Sequence, residues 1–131
     1  MALDQGGLQF HDAIAYHDYE GMAVDLDEQA RLVADMGDKS VMILRNHGLL
    51  TCGRSIPEAY RKMYYLERAC QLQMDVLQTG REINLPTGPV MEHTAEQWQQ
   101  GAAGIGTGEE ATREWPALLR MLDDKDPGWR G

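Results

Sequence analysis

Four histidines are the residues of this chain best equipped for chemistry: His11, His17, His47 and His93. An imidazole ligates divalent metals and carries protons near neutral pH. His47 has the most suggestive setting, inside the segment VMILRNHGLLTC from Val41 to Cys52. It stands in a polar break, Arg45-Asn46-His47-Gly48, between two apolar runs. A histidine there projects from a rigid support into whatever cleft lies beside it, as a metal ligand must. An imidazole on a turn can equally be only a turn residue, and the segment alone leaves both readings open. Asp18 and Glu20 closely follow His17 and are candidate acid/base carboxylates, but clustered acidic residues more often form a solvated face, and they are read so here. His11 and His17 are spaced too widely to pair on one helix turn or strand face. His93 lies on a helical stretch and is expected to face solvent.

The element that must hold His47 is a β-hairpin. Val41–Leu44 and Leu49–Cys52 each have a strand's length, and Asn46 and Gly48 tolerate the positive backbone angles of a tight turn. Upstream, Ile14–Tyr19 alternates apolar and polar residues and predicts a short strand. Asp25–Met36 predicts a helix, with Asp25 as N-cap, Glu28 three residues on, and Gly37 as the stop. Its apolar positions Leu26, Ala30, Val33 and Met36 are expected to face inward. Ser55–Thr79 gives the longest helix: Ser55-Ile56-Pro57-Glu58 reads as a capping box with Pro57 in the first turn, and Gly80 ends the run. Ile56, Tyr60, Met63, Leu66, Cys70, Met74 and Leu77 recur at helical spacing as a core or interface stripe.

Beyond Gly80 the chain changes character. Pro86 and Pro89 mark a loop, Val90–Gln100 an amphipathic helix through Met91, Ala95 and Trp98. Gly101–Gly108 reads as a linker: it follows no strand and lacks the Lys-Ser/Thr of a phosphate loop. Thr112–Leu122 predicts a last helix with Trp115, Leu118, Leu119 and Leu122 inward. Trp129 falls in a short tail.

Composition narrows the function classes. The chain has 131 residues, enough for one core, and 21 Asp+Glu against 12 Lys+Arg give a formal net charge of −9. An acidic surface opposes nucleic acid and anionic membranes, so neither is expected as a partner. No apolar run approaches the roughly 20 residues that span a bilayer. Cys52 and Cys70 read as small core residues kept reduced, which points to the cytoplasm.

Several separated strings, in order, resemble the class II aldolase/adducin family, and its adducin-like branch in particular. They are Ala15-Tyr16-His17-Asp18-Tyr19-Glu20-Gly21, then Ile43-Leu44-Arg45-Asn46-His47-Gly48-Leu49-Leu50 with Gly53 and Ile56-Pro57-Glu58-Ala59, and Leu66-Glu67-Arg68-Ala69-Cys70-Gln71-Leu72-Gln73 in the long helix. The resemblance implies an α/β fold: part of a three-layer α/β/α class II aldolase-like domain, with a mostly antiparallel sheet, the hairpin at 41–52 and the long helix at 55–79. Residues 1–110 would be the C-terminal part of that domain and 111–131 a C-terminal helix and tail.

Family aldolases are carbon–carbon lyases that bind zinc through three histidines and use a glutamate as acid/base. His47 matches the third ligand by its Asn-His-Gly turn. The other two form a His-x-His pair that this sequence lacks, and the family's glycine-rich phosphate-binding segment and catalytic glutamate also have no counterpart here. The chain is therefore expected to be the C-terminal portion of such an enzyme, inactive alone, since a catalytic zinc needs about three protein ligands and an open position. Complete, the site would use zinc as a Lewis acid on the hydroxyl and carbonyl oxygens of a small hydroxy-carbonyl substrate, with or without a phosphate. The resemblance also implies a homo-oligomer, a tetramer in the family, and places His17 near the substrate cleft, although hydrogen bonding within the fold is the preferred reading for that ring. The alternative is a non-catalytic adducin-like assembly module, because that branch includes cytoskeletal proteins without enzymatic function.

Overall fold

The short run Ile14–His17 (β1) forms the first strand of a three-stranded sheet. The computed structural model describes residues 3–22, 26–101 and 109–130. Before β1 lies one helical turn, Gln5–Leu8 (α1), capped by the Asp4 carboxylate, which accepts from the amides of Gly6 and Gly7. It sets Leu8 and Phe10 in the core, each 5% exposed. After β1 come Leu26–Met36 (α2), Val41–Leu44 (β2), Gly48–Thr51 (β3), Ile56–Gln78 (α3), Gly88–Gln99 (α4) and Glu109–Lys125 (α5). The expected N-cap of α2, Asp25, lies outside the described residues, as do residues 102–108 of the expected linker.

The sheet order is β1-β2-β3. β2 and β3 form the expected antiparallel hairpin, whereas β1 joins β2 in parallel, Ile14 opposite Val41 and His17 opposite Leu44, so the sheet is mixed. The parallel pair follows from α2, which carries the chain back between β1 and β2 as a crossover helix. Because side chains alternate along a strand, Ile14 and Val41 share one face and Ala15, His17 and Met42 the other. The first face packs with Phe10 against Leu66 of α3, with Ile43, Leu49 and Tyr65 at its margin. The second lies against α2. The layers are therefore α2, sheet, α3. Leu66 and Met42, one on each side, are fully buried.

Helix boundaries follow the local chemistry. Ser55 accepts a bond from the Glu58 amide, and Glu58 returns to the amide of Arg54 at 2.9 Å, one residue short of the reciprocal box. Gly37 and Gly80 take φ of +57° and +62°, the left-handed stop that a Cβ disfavours. α5 packs on α3, with Trp115 edge-on to Tyr60 at 5.6 Å and Arg61 paired to Glu114 at 3.3 Å. α4 buries Ala95 and sends the Trp98 indole N–H to the Gln5 carbonyl at 3.1 Å.

Two periodicity readings are corrected. In α2, Leu26 is 78% and Val33 73% exposed, and Ala30 is exposed too, so of the four positions expected inward only Met36 turns toward the sheet. The face turned to the sheet carries Glu28, which is buried, and Leu32 and Met36, which are half-buried. Its polar positions win because β1 presents the imidazole of His17 there. In α3 the stripe holds only at the centre: Ile56, Met74 and Leu77 are exposed, because the helix is longer than the strands it covers. Cys52, expected in the core, is also exposed at the end of β3; neither cysteine is in a disulfide.

Candidate active site

The hairpin tip is built as the sequence suggests, with a different division of labour. The loop is three residues long, Arg45 to His47, closed by the His47 amide donating to the Leu44 carbonyl at 3.0 Å. Asn46 alone supplies the left-handed angle, φ +57°. Gly48 is already extended and pairs with Leu44, so it opens β3 where turn geometry was expected. A second anchor holds the tip beside β1: the Arg45 amide donates to the His17 carbonyl at 3.0 Å, and the Arg45 guanidinium pairs with Asp18. His47 is exposed.

That anchoring brings together two histidines 30 positions apart in the chain. His47 and His17, with Asp18, Glu28, Leu44 and Arg45, line a small hollow of about 40 Å³ at the carboxyl ends of the parallel strands. Carboxyl ends of strands in α/β sheets are where ligands commonly bind, since the loops there are free to vary without disturbing the sheet.

His17 makes the hydrogen bond within the fold that was expected of it, here to Asp35. Its ring is 4% exposed. Nδ1 lies 2.7 Å from Oδ2 of Asp35, and Nε2 lies 3.7 Å from Oε1 of Glu28, which is itself buried. The hydrogen bond to Asp35 raises the pKa of this imidazole above its ordinary value, and the fields of Asp35, Glu20 and Glu28 add to that against the opposing effect of burial. Nε2 is buried, and among the described residues it has no hydrogen-bond partner. The signal was present in the sequence: Glu28 and Asp35, seven residues apart, share one face of a helix and can flank a single side chain. Nothing local says that β1 would place an imidazole between them.

The other candidates have structural occupations. Glu20 is paired with Arg31, whose hydrogen bond holds the carboxyl below its usual range, and Asp18 is paired with Arg45. His11 stands 3.7 Å from Asp12, and His93 is exposed on α4, as expected. Among the described residues, no group of three or more His, Cys, Asp and Glu side chains is placed to hold a metal ion. His47 offers one imidazole, and the residues described do not by themselves fit a zinc centre.

Comparisons with known proteins agree with this architecture. Residues 1–74 match the family described as Class II Aldolase and Adducin N-terminal domain. A Pseudomonas aeruginosa protein named "Putative aldolase class 2 protein" is 40% identical over 130 residues, covering 99% of this chain and 50% of that protein. The chain thus spans about half the length of that relative. Rat alpha-adducin is 38% identical over 119 residues, covering 85% of this chain and 16% of that protein, so the likeness does not single out the adducin branch. The crystal structure of an aldolase II superfamily protein from Pseudomonas syringae superposes with a TM-score of 0.86 at 43% identity, covering 100% of this chain and 51% of that one. The chain belongs to the class II aldolase/adducin family.

Proposed function

We propose that this chain forms part of a zinc-dependent class II aldolase-type lyase, which cleaves a carbon–carbon bond in a small hydroxy-carbonyl compound, with or without a phosphate. The observation that carries the reading is His47, exposed on a doubly anchored hairpin tip and bordering a hollow at the carboxyl ends of β1 and β2. Zinc, when bound by His47 together with donors from outside the described residues, would supply Lewis acidity toward substrate oxygens. The chain's own contribution is positional. Asn46 sets the turn, and the Arg45–Asp18 pair and the Arg45–His17 backbone bond fix the tip against β1. With one imidazole of about three needed, the chain alone is inactive. The working form in this reading is a cytoplasmic homotetramer, and residues 111–131 lie outside the aldolase-like domain proper.

Calorimetric zinc titration tests this, on the chain and on any longer reading frame that carries it. His47→Ala should weaken zinc binding by more than the roughly 10–100-fold that loss of an outer-sphere partner costs. Unchanged affinity removes His47 from the ligand set and with it the aldolase reading. A second reading, an adducin-like assembly module without catalysis, is favoured by one observation: the outward apolar positions Leu26 and Val33 of α2 offer an association face. Zinc-independent self-association that is lost in Val33→Asp, together with zinc binding indifferent to His47→Ala, would select it.

A further inference from the structure

We infer that the cavity at the amino ends of β1 and β2 binds a small organic monocarboxylate, whose carboxylate is received by the guanidinium of Arg61. The inference does not rest on the aldolase-type reading: it concerns the opposite end of the strands from the hollow that His47 borders. Three observations carry it.

The first is space. Ala13, Ser40 and Val41 place a cavity of about 520 Å³ at these strand ends, beside the first turns of α3 and the last turn of α4. A cavity of that size suits a small organic ligand. Phe10 and Trp98 are among its walls and offer aromatic surface to the body of such a ligand.

The second is Arg61, which lines this cavity with 14% of its side chain exposed. Tyr65, four residues on and so on the same face of α3, has its ring centroid 4.8 Å from the guanidinium carbon, and Trp98 of α4 stands at 6.0 Å. Two rings therefore hold the fork in place before any anion binds. Nε is enclosed, and the nearest carboxylate oxygen, on Glu114, approaches it at 3.3 Å without making a hydrogen bond. The terminal amines Nη1 and Nη2 are not buried in that way and, among the described residues, donate to nothing. A planar, preorganised guanidinium whose outer amines lack an acceptor matches a carboxylate, which can accept two parallel N–H bonds.

The third is charge. Lys39 and Lys62 line the cavity with Arg61, and Asp12, Asp38 and Glu58 balance them. Lys62 is occupied by Glu58 at 3.0 Å. Lys39 donates to the Ile14 carbonyl at 2.9 Å and, among the described residues, has no carboxylate partner. Arg61 and Lys39 thus favour an incoming anion, while Asp12 and Asp38 temper the field. Under a field so nearly balanced, the charge of the ligand decides. Desolvation grows with the square of charge and attraction only in proportion, so a monoanion is preferred to a phosphate dianion.

The test titrates benzoate, benzamide and phenyl phosphate at neutral pH into the ¹⁵N-labelled chain, and into any longer reading frame that carries it, while the indole ¹⁵N–¹H signals are followed. The three ligands share a ring and differ in charge. Trp98→Phe identifies the Trp98 signal. That signal should move saturably with benzoate, and the other two ligands should each need about tenfold more or beyond for half-saturation, the worth of a hydrogen bond to a charged group. Arg61→Lys keeps the charge and loses the fork, and should raise the half-saturating benzoate concentration about tenfold. Glu114→Gln removes the competing carboxylate and should lower it. The ligand series is read on the parent sequence, so it decides the matter even where Arg61→Lys folds poorly. A Trp98 signal unmoved by benzoate, an equal response to benzamide, or tighter binding of phenyl phosphate overturns the inference. So does unchanged benzoate affinity in a folded Arg61→Lys, or binding that the longer frame abolishes. Zinc binding by His47 is untouched by each of these results.

Discussion

Leu66 and Val33 look alike in the sequence, each an apolar residue on a helical stripe, and the structure assigns them opposite fates. Leu66 is 0% exposed at the centre of α3, packed with Phe10, Ile14 and Val41; Val33 is 73% exposed on α2. Leu66→Ala removes about three CH₂ equivalents at ~0.8 kcal/mol each, or roughly 2.4 kcal/mol of transfer free energy. The cavity left between a helix and a sheet cannot collapse fully, which brings the expected loss to about 3–4 kcal/mol. Val33→Ala removes nothing from the core, and alanine's better helix propensity offsets what little contact is lost. Its expected effect lies within about 0.5 kcal/mol of zero, on the stabilising side. Urea denaturation followed by far-ultraviolet circular dichroism measures both, with the slope checked for constancy so that midpoints can be compared. A Val33→Ala loss of about 2 kcal/mol would refute the assignment of α2's polar face to the sheet, and a Leu66→Ala loss below about 1 kcal/mol would refute the placing of Leu66 at the centre of the core between α3 and the sheet.

Two further expectations concern the site and a third the start of α3. His17 has a pKa raised in the folded chain, so its contribution is fully present below the ordinary histidine value of 6.5 and is lost as pH rises through the folded value. Stability should therefore decline from about neutral pH upward, and Asp35→Asn should flatten that decline in urea melts taken between about pH 6 and about pH 9; an unaltered slope would show that the coupling is absent. At the tip, Asn46→Ala should cost about 1 kcal/mol and Asn46→Gly almost nothing, because φ of +57° burdens a Cβ without asparagine's local hydrogen bonding. Equal effects of the two changes in thermal melts count against the left-handed assignment. Gly53→Ala would set a Cβ 2.7 Å from the Ala59 amide nitrogen and 3.1 Å from the Ser55 carbonyl, both backbone. The start of α3 must then shift, at about 1–3 kcal/mol, and a variant as stable as the parent would mean that this corner is looser than drawn.

Where a sequence position carries its own local physics, the fold was legible. Asn46 and the apolar runs around it foretold the hairpin, Gly37 and Gly80 the ends of two helices, Ser55 and Pro57 the start of the third, and Ala95 and Trp98 the inner side of α4. The strings around His17 and His47 also carried the family, since order and identity of residues survive without coordinates. Other features depend on what lies across the gap. Parallel pairing of β1 with β2 requires the crossover of α2, and nothing within Ile14–His17 encodes it. The rotation of α2 was misread because periodicity ranks faces by hydrophobicity alone, whereas the sheet offered Glu28 and Asp35 a buried imidazole. His47 could be named from its turn. The hollow it shares with His17 could not, because the two residues border it only through the register that sets His17 opposite Leu44, a non-local pairing decided by the packing of the whole sheet.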